Sequence, residues 1–406
     1  MKNVLILSTV SGFLDKFEKN NVAILQKMGY TVHYASNMSE QYYLFEPEKI
    51  RSMGVHLHHI DIARSPYMLQ NYTKALFQLK RIIKEHEICA IHCHEPVGGV
   101  LGRLAGGLFR KEKLHIIYTA HGFHFYKGAP LLNNTIYYLA EKMLAHFTDI
   151  LVVINKEDYK NARKLRLKQG GRIYRIPGVG LDLDKFSPFT EEEKLSKRKA
   201  LRIKEEDCFF VSVGELNENK NQEVILKALA ELRRRGVDIR RLKYGICGEG
   251  FFRKRITAKI QELHLEKNVM MFGYRNDVRE ILGCADFSVF PSRREGLGMA
   301  GLEALAMGLP LLAADNRGTR EYMQHGINGF FCDSDNVQEW ADSIQQMWKL
   351  TKETQKEMKT EMRSCCRNSV VAFEKRRTDA IMKLVYEDLD ERVSAANCSG
   401  RQVKVG

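Results

Sequence analysis

Pro291-Ser-Arg-Arg-Glu-Gly-Leu-Gly-Met-Ala-Gly-Leu-Glu-Ala-Leu-Ala-Met-Gly-Leu-Pro310 is the stretch on which the reading of this chain turns. It follows an apolar run ending at Phe290 and passes through Gly296 and Gly298 into a helix predicted over 299–307. A helix start carries unpaired backbone N–H groups and a partial positive charge, so Gly298, Met299 and Ala300 are candidates to receive a phosphate. Two acids bracket that start. Helical side chains tilt toward the N-terminus, which lets Glu303 reach back toward a ribose diol, while Glu295 can accept a sugar hydroxyl. The plainer alternatives are a helix-dipole partner for Glu303 and a loop charge for Glu295. Gly296-x-Gly298-x-x-Gly301, with Asp315 beyond the next strand, also matches a dinucleotide fingerprint. That reading leaves the two glutamates without a role; a nucleotide sugar uses both.

Outward from this segment, short apolar runs alternate with helical stretches. In the first half the runs fall at 4–7, 31–35, 55–60, 89–92, 115–119, 150–154 and 172–176. Helices are predicted at 17–28, 72–85 and 134–145. Pro177-Gly178-Val179-Gly180 interrupts the pattern, which restarts at 208–213 and continues through 242–247, 269–272, 287–290, 309–313 and 329–332. Continuous apolar strands between helices predict parallel sheets covered on both faces. The expected organisation is an N-terminal domain over 1–185, a C-terminal domain over 186–370, a return helix over 371–393 on the N-terminal domain, and a flexible tail over 394–406. Open parallel sheets bind ligands beyond the carboxyl ends of their strands, so two facing sheets predict a cleft.

The composition narrows the class. The 406 residues are 44% hydrophobic and 28% charged, with 8 prolines, a globular balance. The most apolar stretch, 300–314, is broken by Glu303 and Pro310, and no window supplies the roughly 18 uncharged residues of a membrane span. The N-terminal apolar run is too short for a signal peptide. The 9 cysteines lack a CxxC framework and read as reduced thiols, so the expected compartment is the cytoplasm. His92-Cys93-His94 and His56, His58, His59 raise a metal reading, but the sequence spacing offers no second ligand cluster.

Of the net charge of +14, +10 lies within residues 1–185. Arg163, Lys164, Arg166, Lys168, Arg172 and Arg175 form one basic run. Nucleic acid is not expected as the partner, since no zinc finger, helix-turn-helix or RNP-like motif accompanies the charge. An anionic lipid surface, where each nearby cation is worth about 1 kcal/mol, an anionic substrate and a plain solvated face all fit the charge.

The segment from Pro291 to Pro310, with Glu295 and Glu303 eight positions apart, resembles the signature of glycosyltransferase family 4, sugar-nucleotide-dependent enzymes of GT-B fold. The resemblance continues through Val213-Gly214-Glu215-Leu216 with Lys220, Gly248-Glu249-Gly250, Phe272-Gly273-Tyr274-Arg275 and Asn328-Gly329. In the first half it extends over Ile91 to Arg103, over Tyr118 to Gly128, and over Pro177 to Asp182 with Phe186, where the chain is similar to members of capsule or exopolysaccharide assembly. It implies an α/β GT-B architecture: two Rossmann-like domains facing across a cleft, with a C-terminal helix returning to the first. It implies His121 beside the donor sugar and phosphate, Lys220 on the diphosphate, Glu295 on the sugar, Glu303 on the ribose, Gly12 beside the sugar phosphate and Arg275 near the base. Two departures stand out. Glu215 occupies a position where many members have arginine, so Lys220 and the helix start must carry more of the phosphate charge; a Glu215–Lys220 salt bridge is the simple expectation. The first loop has Ser11-Gly12 in place of a double glycine.

The implied activity is retaining transfer of a hexosyl or N-acetylhexosaminyl group from a nucleoside-diphosphate sugar, with uridine the family habit. The implied acceptor is a glycan or an undecaprenyl-diphosphate-linked saccharide at the inner face of the plasma membrane. His124 reads as structural. Asp182-Leu-Asp184, Asp333-Ser-Asp335 and Asp388-Leu-Asp390 read as chance DxD strings, and no metal or other cofactor is expected. Two other functions fit the same sequence: a sugar-nucleotide epimerase, or a non-catalytic sugar-nucleotide-binding scaffold.

Overall fold

The computed structural model describes residues 2–39, 45–63, 69–109, 114–353 and 356–401. Its contacts divide the chain into two compact units: one runs to Gly180 and resumes at Arg376, and the other spans Leu181–Lys375.

The first unit contains β1 (Lys2–Val10), β2 (Tyr30–Asn37), β3 (His56–His59), β4 (Ile88–His94), β5 (His115–Ala120), β6 (Ile150–Val153) and β7 (Arg172–Arg175). They pair in parallel in the order β3-β2-β1-β4-β5-β6-β7. Val4, Leu5, Ile6 and Leu7 are wholly buried, because helices cover both sheet faces. Each such burial is worth about 1.5–3 kcal/mol. Helix α1 (Leu69–Glu85) precedes β4, α2 (Pro96–Leu108) follows it, and α3 (Leu131–Ala145) follows β5. A buried arginine of α2, Arg103, holds Glu141 of α3 through two hydrogen bonds and stacks 3.9 Å from the Tyr118 ring centre.

The second unit contains β8 (Cys208–Val213), β9 (Leu242–Cys247), β10 (Val269–Gly273), β11 (Phe287–Phe290), β12 (Leu311–Ala314) and β13 (Gly329–Cys332), in the order β10-β9-β8-β11-β12-β13. Phe210 lies stacked between Tyr244, at 5.1 Å, and Phe287, at 4.8 Å, tying three strands together. Helix α4 (Met299–Ala306) follows β11.

In both sheets the order reverses beside the first strand, between β1 and β4 and between β8 and β11. Those reversals open crevices at the strands' carboxyl ends. Gly12 and His94 follow one reversal; Gly214 and Glu295 follow the other.

Some local boundaries differ from the sequence reading. Leu14–Glu18 winds as a π-helical turn before the α-helix Lys19–Lys27, where 17–28 reads as one helix. The last helix, α5 (Lys375–Arg401), starts after a 3₁₀ turn at Val371–Phe373, because Leu181 pairs with this connection: its N–H donates to Phe373 and its carbonyl accepts from Lys375. The helix also continues past Ser394, where Ala395 and Ala396 are strong helix formers. Tyr30 and Lys2 hold Asp390 of α5, and Asn20 holds Asp379. No helix among the described residues is long and apolar enough to cross a membrane.

Candidate active site

In the second unit, the turn after β8 carries Lys220 back across the strand end. Its stem lies over Gly214, where a Cβ would sit 3.5 Å from Lys220 Cδ. The ammonium pairs with the Glu295 carboxylate and sits 5.4 Å from the Phe290 ring centre. The expected Glu215–Lys220 bridge does not form: Lys220 turns to Glu295, and the Glu215 carbonyl accepts from Gln222. Reciprocal hydrogen bonds, from Arg293 N–H to Asn219 and from the Asn219 side chain to Arg294, stitch the two loops together at 2.8 and 2.9 Å.

The glycines of the segment have structural reasons. Gly298 caps α4 at φ +87°, a left-handed conformation that favours glycine, and Gly301 sits where a Cβ would lie 2.4 Å from the Tyr322 hydroxyl. Tyr322 donates to the Gly298 carbonyl at 3.3 Å, so the helix start is held from behind. Met299 and Ala300, half-buried, occupy the first positions of α4, whose amides precede any intrahelical acceptor. Glu303 lies one turn further on, also half-buried. Asp315, the acid of the dinucleotide reading, is held by Arg320 through two hydrogen bonds of 2.6 and 2.8 Å. Arg275 is held by Asp277 in the loop after β10.

The sequence reading missed Asn316, Arg317 and Tyr322. Asn316 donates to Ser292 at 2.9 Å, and buried Arg317 approaches the Glu295 carbonyl at 3.4 Å. The available signal was their position just past β12, at a strand's carboxyl end.

In the first unit, Gly12 is buried in the turn after β1, next to the π-helical turn. That turn brings Glu18 to the ends of β4 and β5. Glu18 Oε2 lies 3.5 Å from His94 Nε2, and His94 Nδ1 lies 3.3 Å from His121 Nε2. Phe13 covers both histidines, with ring centres 5.2 and 5.4 Å away. These groups line a pocket with Asn21, Val179 and Asp379. Burial pushes the Glu18 carboxyl up to about 8, against the pull of Asn21, and pushes His121 down to about 4. Near neutral pH the nest is therefore largely uncharged.

Glu18, His92 and His94 also bring metal-ligating atoms within 4.8 Å of one another. Both His92 nitrogens, however, are engaged, with Tyr386 at 2.9 Å and Thr119 at 2.8 Å, so binding an ion there would break a hydrogen bond. His124 packs against Tyr137, with ring centres 5.1 Å apart. The DxD strings are engaged in structure: Asp182 accepts from Lys185, Asp335 pairs with Arg293, and Asp388 pairs with Arg392.

Residues 193–364 match the model of the family described as glycosyl transferases group 1, and residues 4–155 match that of glycosyl transferase 4-like proteins. The chain is 37% identical over 347 residues to a putative glycosyltransferase, EpsD, of Bacillus subtilis, covering 86% of this chain and 87% of that one. It is 27% identical over 299 residues to a UDP-Gal:alpha-D-GlcNAc-diphosphoundecaprenol alpha-1,3-galactosyltransferase of Escherichia coli, covering 73% and 74%. Among solved structures, sucrose-phosphate synthase of Thermosynechococcus elongatus superposes with TM-score 0.76 at 17% identity, over 96% of this chain and all of that one. HepE of Anabaena, in complex with UDP and glucose, superposes with TM-score 0.71 at 16% identity, over 96% and 99%. Two parallel α/β units of this kind define the GT-B class of glycosyltransferases. Within that class, the chain belongs to the glycosyl transferases group 1 family.

Proposed function

We propose that the protein transfers a hexosyl or N-acetylhexosaminyl group from a UDP-sugar, with retention of anomeric configuration, to a glycan or undecaprenyl-diphosphate-linked acceptor of a bacterial surface polysaccharide. The observation that carries this reading is the Lys220–Glu295 pair beside the glycine-capped start of α4. Departure of a nucleoside diphosphate develops negative charge on phosphate, and pre-placed cations and amide dipoles stabilise it most. Lys220 and the Met299 and Ala300 amides supply those donors, with no metal ion among them. Glu295 positions Lys220 until the diphosphate competes for it, and is then free to accept a sugar hydroxyl. Glu303 takes the ribose, Arg275 flanks the base, and Gly214 leaves room for the phosphate. His121, with Gly12 nearby in the chain's first loop, contributes a neutral imidazole to the sugar. The names of the Escherichia coli relative and of the Anabaena complex support uridine and a lipid-linked acceptor.

We further propose that the first unit docks on the anionic inner leaflet of the plasma membrane. Helix α3 supports this with an exposed apolar stripe, Leu132, Ile136, Leu139 and Met143. Of the basic run, Arg163, Lys164, Arg166, Lys168 and Arg172 are exposed, though Lys168 also pairs with Asp149 and Arg172 with Asp388. Arg110, Lys111 and Lys113 lie outside the described residues. Equal sedimentation with neutral and anionic vesicles at low salt would remove this part.

Thermal unfolding with UDP, GDP, ADP and NAD tests the donor site. A ligand at 100 times its Kd adds about 2.7 kcal/mol. A shift with UDP alone supports the reading, and a shift with NAD alone refutes it. Incubation with UDP-sugars then separates transfer, which releases UDP and glycosylates an acceptor, from epimerisation, which returns an isomerised sugar nucleotide. A scaffold would do neither.

A further inference from the structure

At the open edge of the seven-stranded sheet, away from both candidate sites, four histidines from three elements gather. Parallel pairing sets His33 of β2 beside His56 of β3. Side chains alternate along a strand, so His56 and His58 share the face of His33 and His59 points away. His59 is occupied there: its Nδ1 accepts from the Met38 N–H at 3.1 Å. The residue after α1, His86, completes the group. Its N–H closes the helix onto Ile82 at 3.1 Å, and its carbonyl accepts from the Asn3 side chain at 2.6 Å.

The rings are packed together. His33 stacks on His56 at 4.8 Å and on His58 at 5.2 Å, and His86 lies 4.9 Å from His33 and 4.8 Å from His58. One ring nitrogen from each of His33, His58 and His86 falls within 4.8 Å of the others, and His33 Nδ1 shares a hydrogen bond with His58 Nε2 at 2.9 Å. Zinc held by imidazoles at about 2.0–2.1 Å brings its nitrogens to about 3.3 Å from one another, so small ring adjustments would form the site. Burial first, and the neighbouring imidazoles next, push His33 down to about 3 and His58 to about 4. Both are thus in the neutral form that ligates metals at pH 7.

We propose that His33, His58 and His86 bind a divalent transition-metal ion, zinc being the reference, which clamps the edge strand β3 and the end of α1 onto β2. The group sits at the β3 edge of the sheet, whereas Gly12, His94 and His121 lie at the carboxyl ends of β1, β4 and β5, further across it. The ion is accordingly structural and takes no part in transfer. It would reinforce a four-residue edge strand, the least supported strand of a sheet. His56, stacked on His33, orients that ring.

The test uses the full-length protein, stripped with chelator and titrated with Zn²⁺ by calorimetry and with Co²⁺ by visible absorption. One ion per chain and a rise in Tm with Zn²⁺ are expected. His58→Ala and His86→Ala, both at partly exposed positions, should each weaken binding by more than the roughly 10–100-fold typical of losing an outer-shell partner. His56→Ala should fall within that range. Glu18→Gln, which removes the carboxylate of the other metal-capable group, should leave stoichiometry and affinity unchanged. Circular dichroism of the stripped variants separates ligand loss from misfolding, and His86→Gln provides a second variant. Failure to retain zinc after dialysis against excess metal overturns the proposal. So does binding that survives in His58→Ala and His86→Ala but is lost in Glu18→Gln.

Discussion

The crevice beside β1 and β4 and the crevice beside β8 and β11 occupy equivalent places in two sheets of like strand order, but their electrostatics are opposite. The second unit presents a formal ion pair, Lys220 and Glu295, partly open to water and beside a helix start whose glycine cap offers no side-chain hydrogen bond. The first unit presents Glu18, His94 and His121 in a buried nest that burial drives toward neutrality. On the proposed function, the difference is a division of labour. A diphosphate needs fixed cations and amides, whereas a saccharide beside a charge-developing centre needs hydrogen-bonding groups that add no net charge.

The sharpest way to break this comparison is to remove the cation. Lys220→Ala should lower kcat by about 10²–10³-fold, the cost of one lost transition-state donor, and erase the UDP-induced rise in Tm. Steady-state rates and melting curves check both, and an unchanged UDP shift would move the donor site away from β8. His121→Ala should cost less, about tenfold in kcat, as for a single hydrogen bond, while leaving the UDP shift intact. Loss of that shift would mean that the two crevices do not divide the ligand as described.

Two further effects are on stability and concern the support of each region. Gly301→Ala forces a Cβ against the Tyr322 hydroxyl and should destabilise the second unit by about 1–3 kcal/mol, read by denaturant unfolding. The other supporting effect is the pH dependence of the first unit. Glu18 has a folded pKa of about 8, above its ordinary 4.5, so the folded state holds the extra proton between those values. Stability from this group is therefore present at low pH and declines as pH rises from about 4.5 to 8, by at most about 1.4 kcal/mol per unit. Glu18→Gln should remove that decline, and Tm measured across the interval checks it.

The strands were legible because parallel strands are buried on both faces and so appear as continuous apolar runs, such as Val4 to Leu7. The segment from Pro291 to Pro310 was legible because a strand, a glycine turn and a helix start are local features. Its two ends of meaning were less so. Glu295 could be singled out, but its partner Lys220 is 75 residues away, and Glu215, much nearer in sequence to that lysine, looked the natural choice. Charge pairing follows geometry at the strand ends, which adjacency in the chain does not reveal.

By itself, then, the sequence determined the α/β class, the restart of the pattern after Gly180 and the glycine-acid segment, because each rests on short-range periodicity and turn chemistry. The tertiary structure alone decided which distant groups meet. A π-helical turn swings Glu18 to His94, 76 positions along the chain, and strand register sets His33 beside His56 while alternation sends His59 away. Such contacts depend on how sheets order their strands, and a linear spacing carries no record of that order.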